Sequence, residues 1–148
     1  MSPTRLFRVV ATAEAVTWAG LLSGMFLKYV TETTELGVRV FGMLHGVVFI
    51  GYCLTTLVLA VDRRWTLGRT ALGLASSVPP FLTVWFDRRV ERQGGLGPSW
   101  RLLTTDPARP AERPVAWLLR NPARGLAAAL VAVLALTGVA LLVGPPAS

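Results

Sequence analysis

The chain has 148 residues, 53% of them hydrophobic and only 16% charged, with a formal net charge of +7. A soluble domain is about a quarter charged, so the shortage of charge, more than the excess of apolar residues, excludes an ordinary soluble fold. The basic balance does not announce a nucleic-acid partner either, because the arginines sit at the ends and connectors of long apolar blocks.

Four apolar segments follow one another: Leu6–Val30, Val38–Val61, Leu67–Phe86 and Gly125–Val143. Each is long enough to cross a hydrocarbon core, which takes about 20 helical residues. In lipid the backbone must satisfy its own hydrogen bonds, so each crossing is read as a helix. The expected fold is therefore an all-α, polytopic transmembrane bundle. A three-helix membrane module spans residues 5–92, an Arg/Pro-rich connector residues 93–124, and a fourth, C-terminal transmembrane helix residues 125–143. The expected setting is the plasma membrane, with the lipid bilayer as the main partner. Fourteen Arg against the single Lys28 fit a high-GC bacterial genome.

The first segment opens with Arg5 and Arg8, and Ala11-Thr12-Ala13 looks faintly like a leader cleavage site. Only Val9 and Val10 separate the two, far short of the roughly 7–15 apolar residues a leader requires. The segment is expected to be retained. It carries Glu14 about 12 Å past its start, too deep for a short carboxylate to reach water easily, and Lys28 near its end. Polar groups at such depth are rare and expensive. In the second segment His45, Phe49, Tyr52 and Thr56 form one stripe. The functional reading of Glu14, His45 and Tyr52 is a polar track for a proton or substrate; the structural reading is internal hydrogen bonding that fixes helix packing. Matching the midpoints of the two helices puts Glu14 level with Tyr52, within hydrogen-bonding reach, and His45 nearer Ser23. Each helix also holds a Gly-x-x-x-Gly spacing, Gly20 with Gly24 and Gly42 with Gly46, which lets helix backbones approach closely. Either the two pairs pack on one another or one faces a second protomer. Cys53, the single cysteine, reads as a small buried apolar residue.

The third segment contains Pro79-Pro80. Read as a full span, it makes orientation awkward: N-terminus inside leaves five positive residues in the cytoplasm and ten outside, and the opposite orientation reverses the count. Read as a re-entrant hairpin broken at the proline pair, it puts 13 positives on one side and two on the other. Full spanning is the expectation, the hairpin the alternative, and orientation stays open. The connector, with five prolines and eight arginines from Asp87 to Arg124, is expected to be a solvated linker, with Val115–Leu119 as a short interfacial turn of helix.

No catalytic motif is present: no nucleophile elbow, no phosphate-cradling loop, no His-Glu-x-x-His and no dinucleotide fingerprint. One His and one Cys are too few for a metal site, and neither metal nor cofactor is expected.

Ala13-Glu14-Ala15, Met25-Phe26-Leu27-Lys28-Tyr29, His45 to Tyr52, Pro80-Phe81 and Phe86-Asp87 come in an order that resembles one family. It is the domain-of-unknown-function family 3817, YdzA-like small bacterial integral membrane proteins, and the likeness covers about residues 5–92. Ala15 stands where the family often has Gly. The resemblance implies a three-helix membrane module and supplies no activity. The leading expectation is a non-enzymatic accessory or scaffold protein that self-associates or meets a membrane-protein partner. The alternative is an oligomeric proton-coupled transporter or channel lined by Glu14, His45 and Tyr52.

Overall fold

The computed structural model describes residues 2–143. Among them are six α-helices and no strand: α1 Pro3–Tyr29, α2 Leu36–Asp62, α3 Leu67–Ala75, α4 Leu82–Arg92, α5 Glu112–Arg120 and α6 Pro122–Val143, with one 3-10 turn at Arg101–Leu103. Three of these, α1, α2 and α6, are long and apolar enough to cross a membrane. The all-helical bundle is as expected.

Helix α1 starts where a start signal predicts it. Ser2 caps the first turn by accepting from the Arg5 amide, and Pro3 takes the first position, where no amide donor is needed. A short loop turns the chain back into α2, so α1 and α2 form an antiparallel hairpin. Its register is set near the loop: a Cβ on Gly24 would stand 2.6 Å from the Gly37 carbonyl carbon and 2.7 Å from the Val38 nitrogen. Only glycine permits backbones this close.

The third segment departs from the full span expected of it. Its helix ends at Ala75 and a new one starts at Leu82. The cause is local: Pro79 and Pro80 have no amide donors, and a residue before proline is pushed out of the helical region. Phe81 then takes a left-handed φ of 68° before α4 begins. The two pieces fold back on each other. At the far end Trp65 Nε1 donates to the Gly95 carbonyl (2.9 Å), Thr4 Oγ1 to that of Gly97 (3.0 Å), and Arg69 to Gln93 Oε1 (3.1 Å). Entry to α3 and exit from α4 therefore lie together, beside the start of α1 and the end of α2. Nine and eleven residues reach about 13 and 16 Å, roughly half of a 30 Å hydrocarbon core. Neither leg is long enough to cross, so the segment is a helical hairpin that turns back on itself.

Packing follows from this arrangement. Phe7, Tyr52, Leu59, Phe86 and Val90 are buried at the junction of α1, α2 and the hairpin. Phe7 stacks on Tyr52 with ring centroids 5.5 Å apart and meets Phe86 and Trp65 edge-on. Arg8 bridges α1 to α4 through Asp87, at 3.2 Å, and Glu91.

The connector is a docked element and not the solvated linker its composition suggested. Asp62, fully buried at the end of α2, accepts from the amides of Arg101 (3.1 Å) and Leu102 (2.8 Å). Leu102, Val115 and Ala116 close a second small core against Val58 and Val61. The interfacial turn expected at Val115–Leu119 belongs to α5.

Cysteine labelling checks the hairpin. With Cys53 replaced by Ala, single cysteines at Thr66 and Ser99 should react with an impermeant maleimide from the same side of the membrane. Labelling from opposite sides would restore the full span.

Candidate functional site

Glu14 is 0% exposed, and both its carboxylate oxygens lack a hydrogen-bond partner among the described residues. So does Nε1 of Trp18, one turn further along α1. A buried polar group left unpaired costs on the order of 1–3 kcal/mol, and more when charged. The two groups are neighbours, and the Trp18 indole N–H lies close enough to act as a weak donor to the Glu14 carboxyl.

Tyr52 is not Glu14's partner. Its hydroxyl donates to the Gly73 carbonyl (3.0 Å) and lies 3.0 Å from Ser76 Oγ, which also donates to Gly73 at 2.7 Å. Where α3 stops, the Ser77 amide bonds to Leu74 and leaves the Gly73 carbonyl without a helical donor. Tyr52 and Ser76 supply the replacement. Ser77 Oγ adds a second donor to the Leu74 carbonyl at 2.6 Å, and Thr83 Oγ1 ties the head of α4 to the Ala11 carbonyl at 3.0 Å.

His45 sits about a turn and a half nearer Glu14's level than midpoint matching placed it. Its Nδ1 lies 3.0 Å from Thr17 Oγ1, and its ring packs 4.6 Å from that of Trp18. Thr17 Oγ1 in turn donates to the backbone carbonyl of Glu14 at 2.9 Å. His45 thus reaches the Glu14 backbone through Thr17 and makes no contact with the carboxylate. The same register puts Tyr52 level with Val10, about 6 Å from Glu14's level. Lys28, at the opposite end of α1, lies over the Tyr29 ring at 5.1 Å.

The two glycine pairs do not pack on each other. Gly20 lies under the Phe41 ring and Gly24 against Gly37, whereas a Cβ on Gly42 or Gly46 would meet nothing within 4 Å. Gly37, the true partner of Gly24, belongs to neither spaced pair. Thr17, Trp18, Ser76 and Ser77 were likewise missed. Their only signal is a polar residue at membrane depth, and apolar runs carry many of those harmlessly.

A second cluster was also missed, at the basic end. Glu112, 1% exposed, takes ion pairs from Arg101 and from Arg64 (3.2 Å) and the amide of Arg109 (3.2 Å). Arg120 donates to the carbonyls of Leu102 (3.0 Å) and Thr105 (2.9 Å). Asp62 and Glu112 are the buried carboxylates that fold the arginine-rich connector.

A family model described as a domain of unknown function, DUF3817, matches residues 4–92, which run from α1 to the last residue of α4. The chain belongs to this family. A Streptomyces coelicolor relative, named only as a membrane protein, is 53% identical over 93 residues, 62% of this chain but 11% of its own length. Uncharacterized proteins of Mycobacterium bovis and Mycobacterium tuberculosis are 32% identical over 78 residues, 53% of this chain and 64% of theirs. The match thus spans about a ninth of the Streptomyces protein and less than two thirds of the mycobacterial ones. No solved structure matches the chain. DUF3817 supplies the module as far as Arg92; the docked connector and α6 lie beyond the match.

Two outcomes test these contacts. Gly24→Ala should destabilise the protein by about 1–3 kcal/mol, because its Cβ meets backbone that has no room to move. Gly20→Ala should cost less, since a phenyl ring can turn aside, and Gly42→Ala should be neutral or slightly stabilising. Detergent unfolding curves read the order. For the connector, the hydrogen bond from Arg101, reinforced by Arg64 and opposed by burial, holds Glu112 below the usual carboxylate range. Its contribution is present above the ordinary Glu value of about 4.5 and is lost as the pH falls through the lowered folded value. Hydrogen exchange over residues 101–120, corrected for intrinsic rate, should loosen only in that acid range. Glu112→Gln should loosen it already at neutral pH and remove the acid step.

Proposed function

We propose that this member of DUF3817 is a non-enzymatic accessory module of the bacterial plasma membrane. It crosses the bilayer three times and carries a folded collar, built by the connector, on the cytoplasmic face. The observation that carries this reading is the Streptomyces relative, in which the matched unit is only 11% of a much longer chain. A unit joined to a much larger partner in one protein fits a role in serving that partner. Orientation follows from the hairpin. Of the 15 Lys and Arg, only Lys28 and Arg39 lie toward the α1–α2 loop. The remaining 13 lie toward the end shared by the chain start, the hairpin mouth and the connector, which the positive-inside rule assigns to the cytoplasm. The open Gly42 and Gly46 flank of α2 is the face offered to another helix.

A second reading, an oligomeric proton pathway, is favoured by the unpartnered Glu14 carboxyl at membrane depth. Against an acid–base enzyme stands the route from His45 to Glu14, which runs through Thr17 to the backbone.

Gentle-detergent purification of the tagged full chain should bring down a stoichiometric membrane-protein partner. A pure oligomer that conducts protons in liposomes, and stops doing so in the folded Glu14→Gln variant, would replace the accessory reading with the proton pathway. Retained function with Gln but not with Leu at this position would assign Glu14 to packing.

A further inference from the structure

The mouth of the re-entrant hairpin holds a cavity of about 210 Å³ between α3 and α4. Gly68, Arg69 and Leu72 line it from α3; Phe86, Arg89 and Val90 line it from α4, with Gln93 at its edge. Arg69 and Arg89 face it from opposite helices. The Arg69 guanidinium is held in place by Gln93 Oε1 and packs against Gly95, where a Cβ would stand 2.7 Å from it. Arg89 is held over the Trp85 ring at 5.2 Å.

Among the arginines with no carboxylate partner, these two share the lining of one cavity. On the opposite side of α4, Asp87 and Glu91 are both taken by Arg8. On the collar, Arg64, Arg101 and Arg120 each have a carboxylate partner. Among the described residues no carboxylate pairs with Arg69 or Arg89, although both guanidiniums are positioned. Two fixed, uncompensated guanidiniums around one cavity are a site for an anion, and their planar forks suit phosphate oxygens.

The remaining lining says what carries the phosphate. The apolar part of the lining is the exposed Leu72, with the buried Phe86 and Val90 behind it, and exposed Leu67 and Trp85 adjoin it in sequence on α3 and α4. Exposed Trp and Arg near a helix end are usual markers of the lipid–water boundary. Two guanidiniums with an exposed Leu and Trp a turn deeper match a phospholipid, whose phosphate and acyl chains divide in the same way. Basic pockets between membrane helices on the cytoplasmic side take anionic headgroups for this reason.

We infer that the cleft between α3 and α4 is a binding site for an anionic phospholipid, its phosphate held by Arg69 and Arg89 and its acyl chain laid along the exposed Leu72 and Trp85. The site pins the mouth of the hairpin to the cytoplasmic leaflet and gives the module a preference for anionic membranes that bulk positive charge alone would not.

Native mass spectrometry of the full chain in detergent, titrated with dioleoylphosphatidylglycerol or dioleoylphosphatidylcholine, tests it. The anionic lipid should bind at least about ten-fold more tightly, a difference expected of two arginines near the headgroup. Arg89→Gln should remove much of that preference and Arg69→Gln with Arg89→Gln nearly all of it, while Arg113→Gln on the collar leaves it intact. Arg89 touches only an exposed ring, so its single variant decides the matter if the double variant does not fold. Equal binding of the two lipids, or an unchanged preference in Arg89→Gln, overturns the site. Competition by millimolar inorganic phosphate without lipid preference overturns it too, in favour of a soluble anion.

Discussion

Every backbone carbonyl inside a bilayer needs a donor, and the architecture of this protein turns on how one broken helix meets that demand. Pro79 and Pro80 interrupt the third apolar segment at a depth where water does not serve. The carbonyl released at Gly73 is taken up by Tyr52 and Ser76, and Ser77 Oγ adds a donor at Leu74. Tyr52 comes from a different helix, so the break is stable only while α2 is alongside. With that bond in place the segment can turn back, and its exit returns beside Trp65 and Thr4. The connector then starts on the same side as the end of α2, within reach of Asp62.

Much of this was legible in the residues. Three spans follow from the length of their apolar runs. The hairpin was visible only as an alternative. Leu67–Phe86 is as long as a span; the proline pair breaks it locally, and what lets the broken end stay buried is the donor from Tyr52, a tertiary contact that run length does not show. Register failed for a related reason. Midpoint matching treats the helices as rods centred on the bilayer, whereas the pairing is locked at one end, where Gly24 meets Gly37. His45 and Tyr52 both slide with it. The connector misled by composition: proline and arginine argue against a core, yet two buried carboxylates, Asp62 and Glu112, give the arginines and their backbone amides something to fold around.

Charge and depth are organised together. At the basic end nearly every carboxylate is matched to a guanidinium, and two arginines without such a match, Arg69 and Arg89, line one cleft between α3 and α4. At mid-depth stands the opposite case, Glu14, a buried carboxyl with no guanidinium and only the Trp18 indole N–H beside it. One polar group is unmatched where solvent and headgroups are near, the other where neither is. The first invites a ligand from the membrane surface; the second can be occupied only by something small enough to pass between packed helices.

The hairpin also changes how this unit can be shared among proteins. Two crossings and one re-entrant excursion return the chain at Arg92 to the side from which it set out at Pro3. A block with that parity can be spliced into or out of a longer polypeptide without inverting the sidedness of whatever is attached at either end. A third full crossing would have made every such fusion reverse the topology of its neighbour. In this chain the inversion is supplied separately by α6, so gaining or losing that one helix changes which compartment receives the residues that follow, while the preceding unit stays as it was.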